Sequence, residues 1–271
     1  MRTYRTCYLF LALILGYLVS GCAPMAITGA PDLDKTAFGA KKKFAVVSIA
    51  SMKTFQGERS IADTFKSADS VAGANTQPLI NKLNSRIINT LAKSGQFTLV
   101  PESRVLTNRA YRGAAEDART VKVLFMSEDM NVANNYRYFS EPQKFAKLAQ
   151  DLGVDGVIGI TVNFGISTGG GRFSINGLSL GKKSYSATAT ISAVAYNQKG
   201  EVIWKDSTIK EADPDDSKAI IIIDTSAFTG ADFEKMHPSA VEIGGKAVDV
   251  LLARFDDTMA GKKVDRVQSV K

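Results

Sequence analysis

Histidine occurs once in this chain of 271 residues, at His237, and cysteine twice, at Cys7 and Cys22. A His- or Cys-rich zinc site therefore cannot be assembled, and a Ser-His-Asp triad would need His237 as its base. His237 precedes Pro238 at the head of an apolar-striped segment, the place of a cap or first-turn residue, and no partner for a general base stands out. Asp215-Asp216 and Asp256-Asp257 are paired carboxyls, but sugar hydrolysis needs two carboxyls at a set separation and adjacent acids are ordinarily solvated. Gly177 to Ser184, GLSLGKKS, has the glycines and lysines of a phosphate loop. Yet three residues separate its glycines instead of four, and a strand follows where a helix N-terminus is required. The run Gly169-Gly170-Gly171 reads as a loop. Residue types and spacings thus point to no catalytic residue, no metal site and no cofactor.

The N-terminus carries a clearer message. Residues 1–21 run from a basic start, Arg2 and Arg5, through an uncharged apolar stretch of about 13 residues to small residues before Cys22, the layout of an export signal. The stretch is shorter than the ~20 residues a spanning helix needs. Val19-Ser20-Gly21-Cys22 resembles the bacterial lipobox. That resemblance implies diacylglyceryl transfer to the Cys22 thiol, cleavage before it with Val19, Ser20 and Gly21 as recognition residues, and acylation of the new amine. Cys7 then leaves with the signal, and the mature chain has no free thiol. Ala23 in place of Asp after the lipidated cysteine resembles the outer-membrane class of lipoproteins, so the expected address is the outer membrane, lipid-anchored and facing the periplasm. Several buried acyl chains suffice for stable anchoring. Residues 22–40 carry small residues, Pro and Gly without helical or strand period and are expected to be a flexible tether reaching roughly 25 Å.

The remainder, 41–262, is expected to be one α/β domain, followed by a polar tail at 263–271. Overall composition, 45% hydrophobic and 23% charged with 22 Gly and 7 Pro, is that of a globular protein. FAVVSIA after Lys41-Lys42-Lys43 reads as a buried strand, and a polar excursion follows from Ser51 to Gln77, with a helical turn at Ile61 to Phe65. Pro78 opens a helix striped by Leu79, Leu83, Ile87 and Leu91, with Gly95 as its C′ residue. Phe97 to Val100 is a second strand, while 102–135 is ambiguous. Ser140 and Gln143 form a capping box for a helix that stops at Gly153. Val154 to Phe164 is a third strand. Tyr185 to Tyr196 alternates apolar and polar residues, and Asn197 to Gly200 turns it into Glu201 to Lys205. A helix from Met236 to about Met259 closes the order. The expectation is a mixed sheet of parallel βα units with an antiparallel hairpin at one side and a C-terminal helix.

Four segments, KKFAVVSIA, AKSGQFTLVPESRV, KFAKLAQDLGVDGVIGITV and SATATISAVAYNQKGEVIWKD, resemble in this order the landmarks of CsgG-like and TolB-N-terminal-like envelope modules, over about 44 to 205. The resemblance implies a periplasmic α/β lipoprotein working through protein contacts, as in curli secretion, activation of peptidoglycan synthases or envelope assembly. Channels of that group insert two β-hairpins per subunit into the outer membrane. A spanning strand needs ~9 to 11 alternating residues. Around Asn176-Gly177 the sequence offers arms of four or five residues, and Ser207 to Gly230 reads as an exposed loop followed by a buried strand at Ile220 to Ile223.

The formal charge of +7 falls to +5 once Arg2 and Arg5 leave, and the clusters Lys41 to Lys43, Lys182-Lys183 and Lys262-Lys263 read as solubilising. No basic stripe is interleaved with aromatics, so nucleic acid is not an expected partner. Arg172-Phe173, in the Gly-rich loop, is the candidate partner contact, since Arg beside an aromatic is favoured at interface hot spots. The expected function is a lipid-anchored periplasmic interaction or envelope-assembly module without catalytic activity. A CsgG-like secretion-pore lipoprotein is the alternative, and an envelope hydrolase ranks below it. Partners are the outer membrane, through the acyl chains, and envelope proteins; assembly of several copies is left open.

Overall fold

A computed structural model describes residues 30–55, 75–123, 126–169, 174–175, 178–179, 182–211, 220–224 and 230–264. At its centre lies β2 (Lys43–Met52), buried from Phe44 through Ser51. Burial of every residue in turn, in place of alternation, means that both faces of the strand are covered. Two parallel neighbours flank it, β3 (Thr98–Leu99) and β6 (Gly156–Gly169), reached through crossovers that contain α1 (Gln77–Leu91) and α4 (Pro142–Leu152). The antiparallel part is β9 (Lys182–Asn197) and β10 (Val202–Glu211), joined by the expected turn with Gly200 at φ 82. β1 (Asp32–Leu33) lies at the far edge, β4 (Thr120–Val123) and β5 (Met126–Val132) at the other, in the order β1-β10-β9-β6-β2-β5-β4. β11 (Ile220–Asp224) continues the β10 side of β9. The mixed α/β sheet expected from the sequence is thus present. Among the described residues no helix is long and apolar enough to cross a membrane.

The C-terminal helix α5 (Gly230–Met259) packs with α1 on one face of this sheet. A methyl placed at Gly244 of α5 would stand 2.9 Å from Leu83 and 3.5 Å from Phe164, so the two helices and the sheet meet here at backbone distance. The other face carries α4, where Gly159 admits the Phe145 ring. Residues 102–135 resolve into α2 (Glu102–Thr107), α3 (Arg109–Gly113), β4 and β5. Asn108 separates the two short helices and caps the second, its Oδ1 accepting from the Ala110 amide at 2.8 Å.

Several expectations need correction. The first helix stops at Leu91 because its last turn tightens, with the Lys93 and Ser94 amides donating to the carbonyls of Thr90 and Leu91. Gly95 lies outside the left-handed region and is not a C′ residue, whereas Gly153 is, at φ 65. The Ser140 capping box does not form. The cap residue is Glu141, and the free amides of Ser140 and Glu141 donate instead to the carboxylate of Asp117, at 2.6 and 3.0 Å. Ser207 to Glu211 is strand, not exposed loop, because Asp206 and Thr208 face inward and are buried despite their polarity. The helical turn expected at Ile61 to Phe65 lies outside the described residues. Finally, the last part of the expected tether is folded. Asp32 and Leu33 pair with Lys205 and Trp204, and Phe38 is buried against Phe44 and Phe255.

Asp117 gives a first prediction. Burial alone would raise its pKa, but hydrogen bonds from Lys144, Ser140 and Glu141 outweigh it and hold the carboxyl below its ordinary value of 3.8. A depressed folded pKa means stability that is fully present above the unfolded value and lost as pH falls through the folded one. Asp117→Ala is expected to cost about 2 kcal/mol at pH 7, since it orphans the Ser140 and Glu141 amides at the entry to α4. Urea midpoints should show the gap to wild type closing below about pH 4; a gap that is constant down to pH 2.5 refutes the assignment.

Candidate interaction surface

Strand register shows where the molecule reaches outward. β6 pairs with β9 without a break from Gly156 opposite Asn197 to Gly169 opposite Ser184. β7 (Ser174–Ile175) pairs with β8 (Leu178–Ser179), Ile175 opposite Leu178. Partner numbers sum to 353 in every one of these pairs. Of the short arms expected from the sequence, β7 and β8 are described and pair with each other, while β6 and β9 are strands of 14 and 16 residues. Hydrophobic alternation fades in the stretch from Gly165 to Ser184, whose Gly, Ser and Lys residues hid the length.

The two ends of the sheet differ. At one end the N-terminal segment arrives, Leu33 opposite Trp204, which lies opposite Ala195, which in turn lies opposite Ile158. From that level to Gly169 the strand β6 runs about 36 Å along its contour. The β4–β5 hairpin projects the same way, because Met52 pairs with Met130 and the earlier residues of β5 run past the end of β2. The connections 56–74, 212–219 and 225–229 also leave and re-enter at this end, after Phe55, Glu211 and Asp224. Connecting loops are where binding concentrates on a rigid scaffold. Their roots are tied down. Ser51 and Thr76 share a hydrogen bond of 2.8 Å, and the Asn131 amide donates to Thr76 at 3.1 Å and to Asn75 at 2.7 Å.

Of the residues singled out in the sequence, Val19, Ser20, Gly21, Cys22, Arg172 and Phe173 lie outside the described residues, as do the Asp215-Asp216 pair and the glycines of 177–181. His237 stacks on Phe55, with centroids 6.2 Å apart. Asp257 pairs with Lys262 at 2.7 Å, whereas burial raises the pKa of its neighbour Asp256. Lys42 pairs with Asp155 at 3.0 Å, and Asp155 also accepts from the Lys43 amide. Among the described residues no three His, Cys, Asp or Glu side chains stand together as metal ligands. The structure adds what the sequence hid: a buried bidentate pair between Asp206 and Arg254, and a cluster of Asn84, Glu102, Tyr111 and Tyr136 under α2. The hydroxyl of Tyr111 donates to the Val47 carbonyl and accepts from the Arg137 amide, and burial pushes the pKa of both tyrosines upward.

No family model and no curated protein matches this sequence. Among solved structures it is similar to the LpoB C-terminal domain from Salmonella enterica, at 13% identity and a TM-score of 0.29, over 63% of this chain and 83% of that one. A likeness so faint transfers neither residue roles nor activity.

Proposed function

We propose that this chain is a lipid-anchored envelope module that holds or assembles protein partners without catalysis, tethered at one end of its sheet and engaging them at the other. The observation that supports this reading is the polarity just described. The N-terminal segment joins the sheet beside Trp204, while β6 and β9 run on to Gly169 and Lys182, and the β4–β5 hairpin and three connections leave the sheet, at the opposite end. With Cys22 acylated and held in the outer membrane, the ten residues to Asp32 allow at most about 35 Å of extension, and the length of β6 and β9 adds to that. The arrangement suits contact between the membrane and envelope proteins set off from it.

The test has two parts. Intact mass of the native protein should show acyl chains on Cys22, and an unmodified cysteine there removes the anchor. A photo-crosslinking residue at Ser167 or Phe173 in the full chain should give discrete adducts in the envelope, whereas one at Lys199, at the tethered end, should give none. Equal adducts from both ends overturn the polarity.

A second reading, a CsgG-like secretion-pore subunit, gains from the length of β6 and β9, which exceeds the ~9 to 11 residues that span an outer membrane. Against it, alternate residues of STGGGRFSI and LSLGKKS give no apolar series tall enough for a lipid-facing band. A pore subunit forms detergent-resistant rings and makes liposomes leak. The module should do neither.

A further inference from the structure

Arginine is unevenly placed along this chain. It supplies 12 of the 34 basic residues, yet four of the 12, Arg104, Arg109, Arg112 and Arg119, fall within 16 positions that contain no lysine. An anionic surface acting through charge alone attracts Lys and Arg alike, so this bias points to the planar guanidinium fork. In the fold these positions make up α2, α3 and the strand entry that follows. Their acidic neighbours are all engaged. Glu102 accepts from Asn84 at 2.9 Å, beneath the helix. Glu116 takes both forks of Arg119 at 3.0 to 3.2 Å. Asp117 is turned inward onto Ser140, Glu141 and Lys144. Glu141, the exposed acid of the adjoining α4, sits beside Lys144. Arg137 donates to the Ala114 carbonyl. Arg104, Arg109 and Arg112 remain exposed around the buried Val105 and Tyr111, with no carboxylate of the described residues bonded to them. Arg109 and Arg112 stand one helical turn apart, about 5 to 6 Å at their bases.

We propose that Arg104, Arg109 and Arg112 form a docking face for an acidic segment of a protein partner, each guanidinium gripping a side-chain carboxylate through paired hydrogen bonds. Carboxylates three or four apart on a helix, or alternate ones on a strand, repeat at about the spacing of Arg109 and Arg112. The bidentate geometry supplies specificity as well as energy. This face lies on α2 and α3, and its existence does not depend on the anchor or on what the far end of the sheet contacts.

The test uses the full chain in nonionic detergent and a fluorescein-labelled decaglutamate peptide, read by anisotropy. Wild type should bind in a salt-sensitive manner. The triple change R104K/R109K/R112K, which keeps the charge and loses the forks, should weaken binding about tenfold. R104E/R109E/R112E should abolish it, while K82E/K93E, on exposed lysines of α1 and the turn after it, should bind as wild type does. Far-UV circular dichroism identifies any variant that fails to fold, in which case the single changes R109K and R112K carry the comparison. The proposal is overturned if the lysine variants bind as tightly as wild type, if K82E/K93E loses binding equally, or if short-chain polyphosphate displaces the peptide at lower concentration than free decaglutamate does.

Discussion

A chain that begins at Lys41 should unfold about 10 °C below one that begins at Ala30. The nine residues from Asp32 to Ala40 look like tether in sequence, yet they complete the aromatic end of the core. The Phe38 ring stacks on Phe44 at 4.7 Å and 7° and meets Phe255 edge-on at 5.0 Å, leaving Phe38 only 7% exposed. The Asp34 amide donates to the Ile203 carbonyl at 3.0 Å, extending the β1 pairing, and Gly39 donates to Gln96 at 2.7 Å. Removing a buried phenylalanine typically costs 3–5 kcal/mol. At roughly 2–4 °C per kcal/mol for a domain of this size, that is a loss of about 10 °C. Phe38→Ala in the full chain should reproduce most of the loss, which separates the ring from the chain end. Melting points within 2 °C for the two truncated chains would show that Phe38 occupies its place without holding it. Asp32 to Ala40 thus belong to the folded part, which the sequence placed at 41–262.

Where burial follows hydropathy the sequence could be read directly. FAVVSIA became the central strand, the alternation from Tyr185 to Tyr196 became β9 with its apolar side inward, and the stripe from Val241 to Met259 became the closing helix. The misreadings share a cause, which is structure held by backbone pairing or by polar groups far apart in sequence. Phe38 stands among small and polar residues, and only the tertiary fold reveals that it closes an aromatic cluster with Phe97 and Phe255. The amides at the entry to α4 are held by Asp117, 24 residues before Glu141, so a local motif at Ser140 looked sufficient. The far part of β6, from Gly165 to Gly169, keeps its register with β9 through Gly and Ser residues that carry no hydrophobic period. Of the candidate contacts, Arg172-Phe173 was legible as a pair of types. The exposed arginines of α2 and α3 were not, because their meaning depends on where Glu102, Glu116 and Asp117 turn.

Asp206→Ala should be the most damaging single polar substitution in the described domain. Arg254 of α5 donates from Nε to Oδ2 at 2.8 Å and from Nη2 to Oδ1 at 2.9 Å, with side chains only 10% and 1% exposed. The Ser207 amide donates to the same carboxylate at 2.8 Å. Two charges buried this deeply gain little net stability from each other, because desolvation offsets most of their attraction. Removing one leaves the other uncompensated, at a cost of about 3–5 kcal/mol. The pair joins β10 to α5 beside Trp204 and Phe255, whose rings lie 4.8 Å apart, so the damage falls on the anchoring of the closing helix. Asp206→Asn keeps the shape and loses the charge, and should fall between wild type and Asp206→Ala. The double change Asp206→Leu with Arg254→Met removes both charges and should recover most of the stability lost by either single change. Urea unfolding at 0.05 and 0.5 M salt provides a further check, since a pair this buried is barely screened and its contribution should stay nearly constant. A double variant no more stable than Asp206→Ala would mean that the pair orients β10 against α5 and does more than neutralise its own burial.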